Sequence, residues 1–242
     1  MNIVTRSVSI DGTNISYTLE YKPVKNLNLR VRKNGSVYVS ANESVNPQKV
    51  DEFVLRRGSY ICNALKQFEE SLGFKSQPKE FVSGETYYIQ GRGLRLKVIE
   101  GLKESIDSDG IYIFLHLKDA SDFSKKQHLV TRFLNQQCRS VFGDVLAQTY
   151  PPFQKYGITH PALRIREMGT RWGSCSPKRG IITLNSRLIE APRNCIEYVV
   201  MHELCHFVHP NHSKQFYMFM TMFMPDWKER KDTLDRNATY WL

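Results

Sequence analysis

Residues 198–212 read Tyr198-Val-Val-Met-His202-Glu203-Leu-Cys-His206-Phe-Val-His209-Pro210-Asn-His212. The apolar residues before His202 predict a largely buried helix, on which residues four apart lie on the same face, one turn apart. His202 and His206 can therefore bind one metal ion, and zinc prefers such nitrogen ligands. Glu203 follows the first histidine, where its carboxylate can reach a water on the metal and act as a general base. This His-Glu-x-x-His segment predicts a catalytic zinc centre.

A catalytic zinc takes three protein ligands and keeps one position open, so a third ligand is needed. If the helix continued, His209 would lie about 10 Å along its axis from His202, which gives a row of ligands rather than a converging set. Pro210 disfavours helical backbone at His209 and is expected to end the helix there, after which the chain can bring His212 back toward the pair. We therefore expect one Zn²⁺ per chain, bound by His202, His206 and His212. The histidine spacing is that of the metzincins, except that His209 stands where they have a glycine.

A second informative segment is the Gly/Ser-rich turn Arg171-Trp-Gly-Ser-Cys-Ser176. Trp172 could line a substrate cleft, and Arg171 could bind a carboxylate or stabilise an oxyanion. The alternative is that the turn only packs against the active-site helix. The predicted strand Ile181–Asn185 could lie beside that helix and bind a peptide by strand addition, with Asn185 as a further candidate for substrate or oxyanion contact. A plain core strand is the alternative for this segment.

The N-terminal part of the chain is predicted to be rich in strands. Alternating polar and apolar residues flank Asp11-Gly12 and Asn34-Gly35, and such dipeptides are strong signals for β-hairpins. Two hairpins in succession predict an antiparallel sheet. Asn46 followed by Pro47 then predicts the start of one amphipathic helix, which runs up to Gly73.

Strand patterns return between Phe81 and Leu117, and the polar run that follows predicts a boundary between residues 1–120 and residues 121–242. The second part is expected to contain a small sheet and the active-site helix. Four helices are predicted there: one over residues 129–146, one that Pro192 opens and that continues through His209, one capped by Asn211 or Ser213, and one that Pro225 opens. The fold class expected is α+β, with an antiparallel β-rich part and one helix, followed by a zincin-like part.

The 242-residue chain carries 34 Lys and Arg against 24 Asp and Glu, a net charge of +10. With 41% apolar residues it is expected to fold, and its length fits one large or two small domains. The first twenty residues hold no apolar core of a signal peptide, and no stretch offers the roughly 20 apolar residues of a membrane helix. A cytoplasmic protein without membrane contact is therefore expected. Five cysteines without a C-x-x-C pair predict free thiols.

Basic residues cluster around the second predicted hairpin, at Lys22, Lys25, Arg30, Arg32 and Lys33. A solvated face is the default interpretation of this cluster. The alternative is a surface that binds nucleic acid or an acidic protein.

Several characteristic segments follow one another along residues 26–234. They are Asn26-Leu-Asn-Leu-Arg-Val-Arg-Lys-Asn-Gly-Ser-Val-Tyr-Val39, Thr170-Arg-Trp-Gly-Ser-Cys-Ser176, Leu184-Asn-Ser-Arg-Leu-Ile-Glu-Ala-Pro192, Tyr198-Val-Val-Met-His-Glu-Leu-Cys-His206, Pro210-Asn-His-Ser213 with Phe216, and Met224-Pro-Asp-Trp227. Together they resemble the YgjP-like zinc metallopeptidases, a family related to the SprT group, which includes proteases of DNA-bound proteins. The resemblance implies zinc on His202, His206 and His212, with Glu203 as the catalytic base.

The sequence therefore predicts a zinc metallopeptidase that hydrolyses peptide bonds by Glu-assisted attack of a water on zinc. Its expected partners are protein or peptide substrates. Two alternatives stand beside this prediction. One is a basic module that binds nucleic acid or protein and holds a structural zinc, and the other is a zinc hydrolase of non-peptide amides.

Overall fold

The computed structural model of the chain describes residues 3–10, 12–32, 35–72 and 79–241. These residues form a mixed structure with 42% helix and 29% strand, and their strands make up three small sheets, which confirms the α+β class. The chain divides into two compact units, Met1–Lys75 and Ser76–Leu242, named unit 1 and unit 2.

Unit 1 packs a four-stranded sheet against helices. Its described elements are β1 (Ile3–Ile10), β2 (Thr13–Tyr21), β3 (Asn28–Val31), β4 (Val37–Ala41), α1 (Pro47–Arg56) and α2 (Gly58–Leu72). Strand side chains alternate between the two faces of a sheet, so one face can be apolar and the other polar. Tyr17, Leu19 and Val39 lie on the apolar face and are buried with Val50 and Val54 of α1.

The sheet of unit 1 has the strand order β1-β2-β4-β3. Both predicted hairpins are present, as the antiparallel pairs β1/β2 and β3/β4. The expectation of a wholly antiparallel sheet is wrong, because β4 pairs with β2 in parallel. The reason is that β3 lies at the edge of the sheet. The chain therefore turns back from β3 into β4, and β4 lies beside β2 and runs in the same direction as β2. Gly12 and Gly35 have φ of 79° and 77°, while the turn residues Asp11 and Lys33–Asn34 lie outside the described residues.

The predicted cap Asn46 and the first-turn Pro47 stand at the start of α1 as expected. The single helix expected from there is instead two, with the break at Arg57. A Cβ on Gly58, where α2 begins, would lie 2.8 Å from a side-chain carbon of β1. The second helix thus starts in close contact with the sheet. The predicted helix end at Gly73 lies outside the described residues.

Unit 2 contains two sheets, four α-helices and three short 3-10 helices, Pro151–Tyr156, Pro177–Arg179 and Ser186–Glu190, in its described part. Its strands are β5 (Thr86–Ile89), β6 (Arg92–Glu100), β7 (Ser105–Ser108), β8 (Tyr112–Leu117), β9 (Ala162–Arg166), β10 (Gly173–Ser176) and β11 (Ile181–Asn185). Its helices are α3 (Phe123–Thr149), α4 (Arg193–Cys205), α5 (Lys214–Phe223) and α6 (Trp227–Trp241). The strand orders are β5-β6-β8-β7 and β10-β11-β9.

One hydrophobic core joins the elements of unit 2. It includes Leu115 of β8, Phe142 of α3, Ile182 of β11 and Val200 of α4, all of which are fully buried. The boundary predicted between residues 120 and 121 falls inside this unit, between β8 and α3, because both elements bury side chains in the same core.

The helix predicted from Pro192 through His209 ends four residues early, at Cys205. Beyond that point the amide of Phe207 bonds to the carbonyl of Leu204, a tight turn of the kind that commonly closes a helix. The backbone therefore leaves helical geometry before the proline is reached, and His209 lies in the loop that follows.

None of the described helices is both long and apolar enough to cross a membrane. All five cysteines are free of disulfides, as predicted. Burial raises the pKa of the Cys205 thiol to about 12, which makes it an inert core side chain even though it lies between two histidines in sequence.

Candidate metal centre

Three histidine side chains converge where α4 ends. His202 lies in the last turn of α4, His206 follows as its C-terminal cap, and His212 lies in the segment before α5. Each offers one ring nitrogen, and the three nitrogens all lie within 4.8 Å of one another. Nε2 of His212 is 2.9 Å from Nε2 of His202. The structure thus brings together the three residues that the sequence spacing selects.

This donor set suits a zinc ion. With Zn–N distances of about 2.0–2.1 Å, two nitrogens of a tetrahedral site lie about 3.4 Å apart. That separation falls between the 2.9 Å of the His202 and His212 nitrogens and the 4.8 Å limit of the cluster. Burial lowers the pKa of His202 to about 3, with further contributions from His206 and His212, and burial also lowers the pKa of His206. Both rings are therefore neutral at pH 7, which is the form that binds metals.

The rings of this cluster are held in different ways. Nδ1 of His206 donates to the carbonyl oxygen of His209 at 3.2 Å, which directs Nε2 of His206 toward the cluster. Nδ1 of His202 is buried and has no hydrogen-bond partner among the described residues. The His202 ring instead contacts two aromatic rings, Tyr198 at 5.9 Å and Phe216 at 5.0 Å between centroids.

Glu203 is a buried acid beside the histidines. Its side chain is 5% exposed, and burial raises its pKa to about 8, while the charge of Arg171 acts in the opposite direction. Gly173 of β10 approaches it closely, since a Cβ at Gly173 would lie 2.6 Å from Oε1 of Glu203. A carboxyl group with a pKa near neutrality, next to a candidate metal centre, is suited to accept and return a proton.

Glu203 and the three histidines line a cavity of about 510 Å³. Strand β10 contributes the consecutive residues Gly173, Ser174 and Cys175 to its wall. Helices α4 and α6 contribute Tyr198, Val199, Leu234 and Asp235. The cavity therefore extends from the metal-binding candidates to a strand edge and to an apolar surface.

The segment Ile181–Asn185 does not have an unpaired strand edge to which a peptide could add. That predicted segment forms β11, which pairs with β10 along one edge and with β9 along the other. Both edges of β11 are therefore paired. This agrees with the alternative interpretation of the segment, a plain core strand. Strand β10 lies at an edge of the sheet. An extended peptide adds to such an edge by main-chain hydrogen bonds.

Arg171 and Trp172 both line the cavity, and Arg171 is exposed. Asn185 has a different place. Its fully buried side chain donates to the carbonyls of Met168 (2.7 Å) and Arg171 (3.1 Å) and accepts the amides of Met168 (3.3 Å) and Arg187 (3.1 Å). These four bonds use the whole hydrogen-bonding capacity of an amide side chain. Asn185 therefore holds the loop before β10 and has no group left for a substrate.

Three residues of the site have no assignment from the sequence. Tyr198 lies four residues before His202, and this helical spacing was a signal for a shared face. Gly173 lies in the Gly/Ser-rich turn, where a glycine can allow close approach of the backbone. Phe216 contacts the histidine rings from α5. This contact depends on how α5 packs against α4, so no pattern in the local sequence indicates it.

Comparisons with known proteins give one family and distant structural neighbours. A sequence model described as YgjP-like, metallopeptidase domain, matches residues 25–237. No curated protein matches the chain. Solved structures similar to part of it include the zymogen of jannalysin, a metallopeptidase of Methanocaldococcus jannaschii, with 19% identity and a TM-score of 0.35 over 39% of this chain and 88% of that one. Another is the zymogen of abylysin, a metallopeptidase of Pyrococcus abyssi, with 25% identity and a TM-score of 0.34 over 41% and 93%.

Proposed function

The chain belongs to the YgjP-like metallopeptidase domain family and is therefore a hydrolase, and from this premise we propose that it cleaves peptide bonds with zinc as its metal and Glu203 as its proton carrier. The observation that carries the proposal is the convergence of three imidazoles beside a buried glutamate in one cavity. Each of these groups faces the same space, as a single reaction centre requires.

His202, His206 and His212 would hold the metal. Three imidazoles with nitrogens in this range of separations are a donor set that suits zinc better than harder cations such as magnesium or calcium. When bound, zinc supplies Lewis-acid polarisation of the scissile carbonyl and lowers the pKa of a water toward 7. The hydrogen bond from His206 to the carbonyl of His209 would keep that ring oriented in the free and the loaded protein.

Glu203 would carry the proton. Its carboxylate takes a proton from the attacking water at Oε1 or Oε2 and returns it to the nitrogen of the leaving amine. Burial makes the carboxyl group basic enough to accept the proton, and a dication held by the adjacent histidines would favour the charged form before the reaction. Because Glu203 is only 5% exposed, exchange of this proton with bulk water would be limited.

Arg171 would act on the substrate. Arg171 is exposed and lines the same cavity as Glu203, whose pKa its charge lowers. A guanidinium so placed can bind a substrate carbonyl or the oxyanion that forms from it. Trp172 lines the same cavity and would contribute an apolar wall.

The substrate would bind in extended form along β10. The free edge of this strand offers main-chain donors and acceptors, and three of its residues already line the cavity. Tyr198, Val199 and Leu234 line the same cavity from α4 and α6 and would receive an apolar side chain of the peptide. The geometry therefore favours unfolded or extended polypeptide as the substrate.

Metal analysis combined with cleavage of casein and of a peptide library tests this function. We expect about one zinc per chain, activity that a chelator removes and zinc restores, and cleavage sites with an apolar residue at one side. Glu203→Gln should keep its zinc and lose at least about 100-fold in kcat/KM. The matched control Glu229→Gln, which makes the same change at an exposed position of α6, should behave as wild type. Full activity in a clean Glu203→Gln preparation would refute the role of Glu203, and absence of cleavage in zinc-loaded wild type would refute the peptidase function.

A further inference from the structure

We propose that Phe216 is a positioning residue for the metal, because its ring is the common surface on which all three candidate ligand imidazoles rest. This inference rests on the proposed function, since it concerns how the zinc ligands are held. Phe216 contacts ligand rings and would not contact the metal or the substrate itself.

The ring contacts of Phe216 define this role. Its centroid lies 5.0 Å from that of His202, 4.8 Å from that of His206 and 4.9 Å from that of His212. The interplanar angles are 66°, 37° and 79°, so the phenyl ring meets two imidazoles edge-on and one in a tilted arrangement. Phe216 is fully buried. One rigid side chain thus contacts ligands that come from two different parts of the backbone.

Local structure fixes where this ring stands. Ser213 caps α5, and its Oγ accepts the amide of Phe216 at 3.4 Å, which sets the start of the helix at Lys214, two residues after His212. Phe216 is the third residue of α5 and points into the core shared with α4. The loop ligand His212 and its support Phe216 are therefore separated by a single capped turn.

The support matters most for His202. Zinc-binding histidines usually donate their second ring nitrogen to a carboxylate or carbonyl, and that bond sets the orientation of the ring. His206 has such a bond, to the carbonyl of His209, whereas Nδ1 of His202 has no partner in the described part of the chain. On the Nδ1 side, ring packing against Phe216 and Tyr198 limits rotation of the His202 side chain, while its Nε2 faces Nε2 of His212 at 2.9 Å. An imidazole that is already oriented loses less conformational entropy when it binds the metal.

Replacement of Phe216 by a smaller, non-aromatic side chain should therefore weaken zinc binding by about 10- to 100-fold, the range typical of losing a group that orients metal ligands. The change should appear in the metal site itself. With Co²⁺ in place of zinc, the absorption bands that report tetrahedral geometry should lose intensity or shift, since less restrained rings give a less regular ligand set.

Phe219→Leu is the matched control for Phe216→Leu. Phe219 lies one turn later on α5 and is 7% exposed, and its ring contacts Phe153, Tyr156 and His209 but none of the three ligand rings. Both variants remove the same atoms from the same helix and core. They differ in whether the lost ring supports the ligands.

The experiment measures zinc affinity by competition with a chelator, the Co²⁺ spectrum, and the thermal midpoint of the zinc-free chain for wild type and both variants. We expect Phe216→Leu to lose about 10- to 100-fold in zinc affinity with an altered Co²⁺ spectrum, and Phe219→Leu to keep both within about twofold of wild type. Wild-type affinity and spectrum in Phe216→Leu, or an equal loss in Phe219→Leu, would overturn the role of Phe216 alone. A wild-type chain without zinc affinity would overturn the metal assignment itself, and this inference with it.

Discussion

Gly173 and Glu203 are in contact across the candidate active site, so closely that a Cβ on the glycine would lie 2.6 Å from Oε1, 2.9 Å from Cγ and 3.0 Å from Cδ of the glutamate. The first residue of the edge strand β10 and the buried acid of α4 therefore share one space. No side chain can occupy it without moving the carboxyl group, so the backbone of β10 sets the position of the proposed proton carrier.

Gly173→Ala should move Glu203 and reduce kcat/KM by about 100-fold, because a displacement of about 1 Å from reacting geometry is enough for a loss of that size. Zinc content should stay at the wild-type level, since the three atoms nearest to a Cβ at Gly173 all belong to Glu203 and not to a histidine. Gly169→Ala is the control, because a Cβ there would meet nothing within 4 Å. Kinetics of peptide cleavage and metal analysis measure both effects, and an active Gly173→Ala enzyme would contradict the claim that this contact places the acid.

The two loop histidines should respond differently to alanine. His212→Ala removes a proposed ligand and should weaken zinc binding at least about 100-fold. His209→Ala should change it by less than about fivefold, because His209 supports His206 through its backbone carbonyl, which alanine retains. Chelator competition on both variants decides the assignment, and a reversed order would make His209 the third ligand.

N-methylated peptides should reveal pairing with β10. In an extended peptide only every second amide faces a neighbouring strand, so methylation should reduce kcat/KM at alternate positions and leave the intervening ones nearly unaffected. We expect about a tenfold loss or more at the sensitive positions, the equivalent of one main-chain hydrogen bond. The N-methyl groups should be placed at least two residues from the scissile bond, so that they do not change the reactivity of that bond directly. A uniform response along the peptide would count against strand addition.

Asn185→Ala should destabilise unit 2 by about 3 kcal/mol, because it leaves buried amides and carbonyls of the loop before β10 without partners. Activity should fall as well, since that loop carries Arg171 and leads directly into β10. Asn135→Ala, at an exposed position of α3, is the control and should cost less than about 0.5 kcal/mol. Urea unfolding curves of the zinc-free chains give the free energy of unfolding of each variant relative to wild type. If Asn185→Ala were as stable as wild type, Asn185 would have no structural role.

At acid pH, unit 1 should lose the stability that the ion pair between Arg6 and Asp51 contributes. Arg6 donates to both carboxylate oxygens of Asp51 (3.1 and 2.6 Å), Tyr17 donates to one of them (2.6 Å), and chiefly the Arg6 bond lowers the pKa of Asp51. A lowered pKa in the folded chain gives stability that is present above the unfolded value, about 3.9, and is lost as the pH falls through the folded value.

Asp51→Asn should therefore cost unit 1 about 1 kcal/mol at pH 7, the size expected for a partly exposed pair. The difference from wild type should shrink as the pH is lowered below about 4. Hydrogen exchange in peptides that cover residues 13–21 of the intact chain measures it. A difference that stays constant down to pH 2 would show that the contribution is not electrostatic.

Much of the local structure could be predicted because its causes are local. The cap Asn46, the turn at Gly12 and the spacing of His202 and His206 depend on residues within one or two turns of each other, and each is found where it is expected. The parallel pairing of β2 with β4 could not be predicted in this way. It depends on which strand takes the edge of the sheet, and alternation of polar and apolar residues is the same in either arrangement.

The candidate site likewise has some features that the local sequence predicts and others that depend on tertiary packing. The amino-acid sequence by itself determined the chemical groups and the helix that presents two imidazoles and a carboxylate, because helical periodicity converts spacing along the chain into position in space. Only the tertiary structure decided that β10 and not β11 has the free edge, that Asn185 holds a loop, and that Gly173 and Phe216 border the reacting groups. These relations join residues about 10 to 30 positions apart, and they arise from the packing of α4, α5 and β10 around one core, for which neighbouring residues carry no signal.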